Sequence, residues 1–487
     1  MTTRSILPSN AEPLSQSVWA IAVAAVTALV AAGARYGFHT DELYLTATGR
    51  HLDWGYIDQG PAVPAINRAV DYWAGVSPLG LRVISALCIG GIVLLVGWMA
   101  ARMGARPVGQ MVAALSGGFS GFALSTGHLF TASVFDALAW TICLAFLVAI
   151  LDQGSPRLWM GLGLAFGISF YFKPTIVLLA AVSIPLVVIL RPRAVKGIWP
   201  WVGLLATAAV LTPGMLWQQA NDWPYLEVAQ AMIDSSGSLL QYSRDFLVMF
   251  SLILLVPFVG GIYQIWVDPN LKRWRPLTLV YPILAIGLAW FGRGAHIAFP
   301  ATFPVFAGAS IWYEERTAKF RRLGLLFTLI VLAATSLVAL PILEPDSAGL
   351  AMRLNPDLGE TVGWKENVGQ IGVVYTGLTP EQQNNAVIFA ESYGQASAFE
   401  VFGAGLPQAY SGQNSFWDWG PPSQHGTIIG VGAVADDLAP ICPTIEEVAS
   451  LTTPFGVEND QSGSPIWICP EPTGSLADIW DNLKHYD

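Results

Sequence analysis

The sequence predicts a polytopic α-helical membrane protein with a small α/β domain at its C-terminal end. Of 487 residues, 53% are hydrophobic and only 12% are charged, with a mean hydropathy of +0.51. That balance is too apolar for a water-soluble globule of this length. Crossing about 30 Å of hydrocarbon takes about 20 apolar residues, fewer where neighbouring helices shield one another. Eleven runs qualify, near residues 17–34, 79–101, 107–124, 134–151, 158–172, 174–190, 197–216, 246–266, 276–291, 298–313 and 323–342. From Glu344 onward the material changes: polar turns and short β-like runs carry 3 Lys/Arg against 19 Asp/Glu, whereas the preceding chain has 21 against 15. The net charge of −10 is therefore an average of two unlike regions.

Along the chain, residues 1–16 are polar and the first apolar run lacks a cleavage site, so it reads as a retained anchor. Cytoplasmic loops retain Lys and Arg, and 14 of the 24 basic residues fall at Arg4 and in alternate loops between runs. An odd number of spans then puts the N-terminus inside and the tail outside. The division expected is a membrane domain over 1–343, with an outer segment at 35–78, and an extracytoplasmic domain over 344–487. The fifth and sixth runs touch at Lys173-Pro174. In the tail, 386–390 and 427–431 read as buried strands, Tyr393–Phe402 as a helix and 414–422 as a loop. Cys88 and Cys143 lie in apolar runs as small hydrophobes. Cys442 and Cys469 lie in the tail, where an oxidising compartment permits a disulfide.

The segment 39–61 follows the first span directly and carries four carboxylates, Asp41, Glu42, Asp53 and Asp58. One reading is structural: Thr40 caps a surface helix, and Asp41 and Glu42 favour its positive end. The other is chemical, a base at the membrane face. Asp136 opens an otherwise apolar run, as either a boundary residue or a site carboxylate. Lys173 stands fifteen residues from the inner side, which at about 1.5 Å per residue brings it near the outer face. There it either meets an anionic head group or extends to the interface without further duty. Arg82 and Arg293 suit phosphate oxygens or helix anchoring. Trp417 and Trp419 suit sugar stacking or the domain core. His39, His51, His128 and His296 show no metal-ligand spacing, so no metal is assigned and a divalent cation stays open. No Walker loop or dinucleotide fingerprint is present, and no nucleic acid partner is expected.

Several segments form an ordered pattern: Asp41-Glu42; Gly55-Tyr56-Ile57-Asp58-Gln59-Gly60-Pro61; Leu81-Arg82-Val83; Asp136; Phe172-Lys173-Pro174-Thr175; Trp217-Gln218-Gln219-Ala220-Asn221-Asp222-Trp223-Pro224; and Gly292-Arg293-Gly294-Ala295-His296 leading into Phe303-Pro304. In that order they resemble the GT-C glycosyltransferases, in the family 39-like branch of the aminoarabinose transferase and the protein O-mannosyltransferases. The chain departs where the family often has a lysine and paired tyrosines, carrying Arg293, His296 and Phe299 instead, and where Gly60-Pro61 replaces Pro-Pro. The resemblance implies a GT-C membrane domain that moves a sugar from a polyprenyl-phosphate donor to a hydroxyl on a glycan, lipid or protein, with inversion, at a bacterial plasma membrane. It marks Asp41 and Glu42 as catalytic and Asp58, Asp136, Arg82, Lys173, Arg293 and His296 as substrate-binding. A transporter or flippase and a noncatalytic scaffold are the rival classes. Against transport, no internal repeat appears and the polar residues crowd the outer segments rather than midspan.

Overall fold

The computed structural model describes residues 11–152, 154–234, 238–291, 294, 296–423 and 425–486. Arg293 lies outside them. The chain divides into two compact units, the first made of the chain up to Gly33, Arg82–Trp223 and Ile233–Leu340, the second of Ala34–Leu81, Pro224–Met232 and Pro341–Asp487.

The first unit is helical. Among the described residues, Gln16–Gly33, Pro78–Met103, Ala132–Leu151, Trp199–Ala220 and Ala318–Ala339 are long and apolar enough to cross a membrane. The pair Tyr242–Phe250 and Leu255–Val267, bent by 79°, makes a sixth if counted as one span. The other apolar runs form helices of 12 to 16 residues, such as Pro107–Gly118, Leu158–Phe170, Ile176–Leu190, Arg275–Trp290 and Phe303–Glu314. Run 107–124 breaks because Ser120 starts a new helix, its hydroxyl accepting from the Ala123 N–H at 3.1 Å.

Ala132–Leu151 is the buried centre of this unit, with Trp140, Cys143, Leu144, Leu147 and Val148 fully enclosed. At its C-terminal end the enclosed carboxylate of Asp152 takes Arg102 at 2.8 Å and Arg273 at 2.7 Å. Leu158–Phe170 and Trp199–Ala220 approach backbone to backbone at Gly163, where a Cβ would fall 2.0 Å from the Gly203 carbonyl oxygen. Small residues at a helix contact permit this approach in a bilayer.

The second unit is built on a five-stranded sheet. Its strands are β1 (Val387–Ala390), β2 (Ala409–Ser411), β3 (Ile428–Val431), β4 (Glu446–Ser450) and β5 (Pro465–Cys469), in spatial order β2-β1-β3-β5-β4. The first three are parallel, and β1 and β3 are buried throughout, as their unbroken apolar sequences require. β5 and β4 run antiparallel, with β4 an exposed, bulged edge. Val387, Phe389, Ile428, Leu438, Leu476 and Trp480 form its core. Cys442 and Cys469 are bonded to each other, joining the approach to β4 with the end of β5. Residues 414–422 contain a helical turn, Ser415–Asp418, where the sequence suggested only a loop.

The outer segment belongs to this same unit. Its helix Thr40–Arg50 is capped by His39, not by Thr40. The capping residue must stand before the helix in extended backbone, which His39 does at φ −80° and ψ 155°. His39 Nδ1 accepts from the Asp41 N–H at 3.2 Å, and Glu42 Oε2 accepts from the His39 N–H at 2.9 Å. Thr40 is the first helical residue and packs against Gly394 instead. The next helix, Ala62–Ala74, is amphipathic, with Tyr72 and Trp73 exposed.

Candidate functional site

Within the second unit, Asp41 and Tyr44 of the outer segment meet Tyr393 and Ser415 of the C-terminal domain. Helix Thr40–Arg50 presents Asp41 and, one turn on, Tyr44 along one face. Helix Tyr393–Phe402 follows β1 and starts with a capping box between Ser392 and Gln395. Tyr393 is its first residue, and its hydroxyl donates to Asp41 Oδ1 at 3.2 Å. The Tyr393 N–H donates to Gln413 Oε1 at 2.7 Å, which ties this helix to the loop after β2. The Tyr44 and Tyr393 rings lie 4.7 Å apart.

The Tyr44 hydroxyl lies 3.1 Å from Asp58 Oδ1 and 2.8 Å from Ser415 Oγ. A phenol has one proton to give, and a carboxylate can only accept. Burial, reinforced by the Asp58 charge, holds the Tyr44 phenol well above its usual titration range, so it stays protonated as a donor. The site is thus two carboxylates, each held through a tyrosine hydroxyl. Glu42 is fully buried and engaged with His39, so it holds the start of the helix from which Asp41 projects. Asp53 stands apart, exposed, with its Oδ1 accepting from Trp54 N–H at 2.6 Å.

The first unit holds a second cluster. Lys173 sits in the turn between Leu158–Phe170 and Ile176–Leu190, and its ammonium donates to Ser133 Oγ at 3.2 Å. Buried Asp136, the fifth residue of Ala132–Leu151, accepts from Thr175 Oγ1 at 2.5 Å. Burial, with the Lys173 charge adding to it, pushes the His296 imidazole down to about 4, so the ring is neutral. A cation, an imidazole and two hydroxyls make a setting suited to phosphate oxygens. Arg82 is enclosed and donates to the Gly33 carbonyl at 2.8 Å, so it secures the end of the first helix.

Trp417 and Trp480 exchange indole hydrogen bonds with each other's carbonyl, both at 3.0 Å, which makes Trp417 a core contact. Trp419 stacks on His51 with ring centroids 4.2 Å apart. Among the described residues no three His, Cys, Asp or Glu side chains group to hold a metal ion. His39 Nδ1 and Glu42 Oε2 are engaged in the helix cap.

Tyr44, Tyr393 and Ser415 were assigned no role from the sequence. A local signal existed for two of them: Tyr44 is three residues from Asp41 on a helix, and Gly394 beside Tyr393 marks a close backbone approach.

A profile of the dolichyl-phosphate-mannose-protein mannosyltransferases matches residues 58–217, a stretch that contains Asp58, Arg82, Asp136 and Lys173. Among solved structures, ArnT from Cupriavidus metallidurans in the apo state aligns with a TM-score of 0.60 at 13% identity, covering 94% of this chain and 98% of that one. The same protein bound to undecaprenyl phosphate gives 0.57 at 14% identity, covering 92% and 97%. The arabinofuranosyltransferase AftD from Mycobacteria gives 0.51 at 14% identity, covering 97% of this chain but 41% of its own. No curated protein sequence matches. At these identities the likeness establishes the fold.

Proposed function

Starting from a chain with the GT-C fold seen in ArnT and AftD, we propose that the protein is a membrane glycosyltransferase that moves a sugar from a polyprenyl-phosphate donor to an acceptor hydroxyl. ArnT was crystallised with undecaprenyl phosphate, which supports this class of carrier. The observation that carries the reading is Asp41, a half-buried carboxylate with one oxygen held by Tyr393, on the first helix after an apolar span.

In the reaction the acceptor oxygen attacks the anomeric carbon from the side opposite the phosphate, and its proton passes to the Asp41 carboxylate. The bond from the anomeric carbon to the phosphate oxygen breaks, and the electron pair leaves with the polyprenyl phosphate. A phosphate leaves without being protonated, so the demand is for a base on one side and positive charge on the other. Lys173 meets the second demand, its ammonium bonded to Ser133, while Asp136, bonded to Thr175, fixes the turn beside Lys173. Asp58 orients the acceptor beside Asp41. Arg82 and Glu42 support the positions of their helices. Inversion follows from a single displacement, and the acceptor side faces away from the cytoplasm, in keeping with the Lys/Arg distribution.

The test is full-length Asp41→Asn in detergent or nanodiscs, given undecaprenyl-phosphate-linked mannose or arabinose and assayed for released undecaprenyl phosphate. Loss of a general base lowers turnover by about 100- to 10,000-fold with the protein still monodisperse. Turnover near the unmodified rate removes Asp41 from the mechanism.

A further inference from the structure

In open α/β sheets the carboxyl ends of parallel strands are where loops present functional groups. Two such loops of the C-terminal domain reach the outer segment here. The one after β1 carries Tyr393, and the one after β2 carries Gln413, Asn414 and Ser415. We infer that the C-terminal domain completes the transfer site, with Tyr393 as the positioning residue for Asp41; this rests on Asp41 being the base.

Four restraints fix Tyr393 more firmly than a surface contact needs. The capping box sets its backbone at the helix start, with Ser392 Oγ accepting from the Gln395 N–H at 3.2 Å. Gln413 Oε1 accepts its N–H. Its ring rests against Tyr44. At the next position, Gly394 lets the two helices close in, because a Cβ there would fall 2.2 Å from Thr40 Oγ1. Between Gln413, which holds Tyr393, and Ser415, which reaches Tyr44, Asn414 takes a left-handed φ of 50° with ψ −139°. Such strain persists only where the surroundings demand it, and it gathers at functional sites.

The consequence for chemistry is an oriented carboxylate. With Oδ1 taken by the tyrosine hydroxyl, Oδ2 serves the acceptor's proton, and the hydrogen bond restrains rotation of the carboxylate. Tyr44 does the same for Asp58, with Ser415 behind it.

Tyr393→Phe removes the hydroxyl and little else, and it is compared with Tyr44→Phe and Asp41→Asn in the full-length protein. With undecaprenyl-phosphate-linked mannose or arabinose, Tyr393→Phe lowers kcat by about 10- to 100-fold, the loss of a hydrogen bond to a charged group, while the donor KM holds. Isotope-edited infrared spectra need no substrate. The Asp41 carboxylate band, assigned by its loss in Asp41→Asn, moves to higher wavenumber in Tyr393→Phe and stays put in Tyr44→Phe. An unmoved band, an unchanged kcat, or a raised KM at constant kcat overturns the inference. If Asp41→Asn turns over normally while the band moves, the base reading falls and the hydrogen bond stands. If Asp41→Asn is inactive and the band does not move, the positioning role falls alone.

Discussion

Replacing Gly394 with alanine tests whether the approach of the Thr40 and Tyr393 helices is as tight as the geometry requires. The added methyl would lie 2.2 Å from Thr40 Oγ1, 3.1 Å from the Trp364 ring and 3.4 Å from Thr40 Cβ. An ordinary contact begins near 3.4 Å, so the helices must part by about 1.2 Å or the threonine must turn away. Overpacking of this kind costs about 1–3 kcal/mol, and the better helix propensity of alanine returns about 0.5–1 kcal/mol. At mid-range the net loss is about 1 kcal/mol, or a fall of roughly 2–4 °C in the thermal midpoint for a domain of this size. Because the Tyr393 to Asp41 bond is already 3.2 Å long, the same displacement breaks it, and kcat falls with stability. The decisive variant is Gly394→Ala with Thr40→Ala, which removes the 2.2 Å clash and leaves only a few tenths of an ångström to absorb at Trp364. A double-mutant cycle on thermal midpoints then shows a coupling of at least about 1 kcal/mol in the rescuing direction. A single variant as stable and active as the parent, or a double variant no better than the single, refutes the reasoning.

Asp152→Asn leaves Arg102 and Arg273 facing a neutral amide. As those arginines are 19% and 25% exposed, the expected loss is about 2–3 kcal/mol, below that for a wholly buried pair, and is read as a lower unfolding midpoint in detergent. Lys484 at 3.0 Å and Tyr486 at 2.9 Å hold the Glu227 carboxyl below its usual range, the lysine hydrogen bond contributing most. A depressed folded value means this tether is intact above the ordinary carboxylate range and is lost as pH falls through the lower folded value. Protection of the Lys484 and Tyr486 backbone amides from hydrogen exchange, corrected for the intrinsic pH dependence, therefore falls as the carboxylate is protonated, and is lower at neutral pH in Glu227→Gln; equal protection in variant and parent at neutral pH contradicts this.

The apolar helices were legible because a window average senses composition, and every expected run carries a helix. Where each helix ends was harder, since breaks depend on single residues such as Ser120 and Pro107. β1, β3 and the helix Tyr393–Phe402 were readable from unbroken apolar runs and turn residues. β4 was not, because Glu446–Ser450 is an exposed edge whose sequence has no apolar face. The cap at His39 escaped notice because imidazole is an uncommon capping acceptor, so Thr40 looked the better candidate. The candidate site was half legible. Its carboxylates stand out in an apolar chain, but Tyr393 meets Asp41 from 352 residues away and Ser415 meets Tyr44 from 371, relations that leave no trace in local pattern.

That separation also sets when a nascent chain becomes competent. Ribosomes add roughly 5–20 residues per second, so Asp41 waits roughly 20–70 s for the tyrosine that steadies it. Throughout membrane insertion the unfinished polypeptide has its acid but lacks that acid's partner, so a truncated or stalled product folds its first helices without this hydrogen bond.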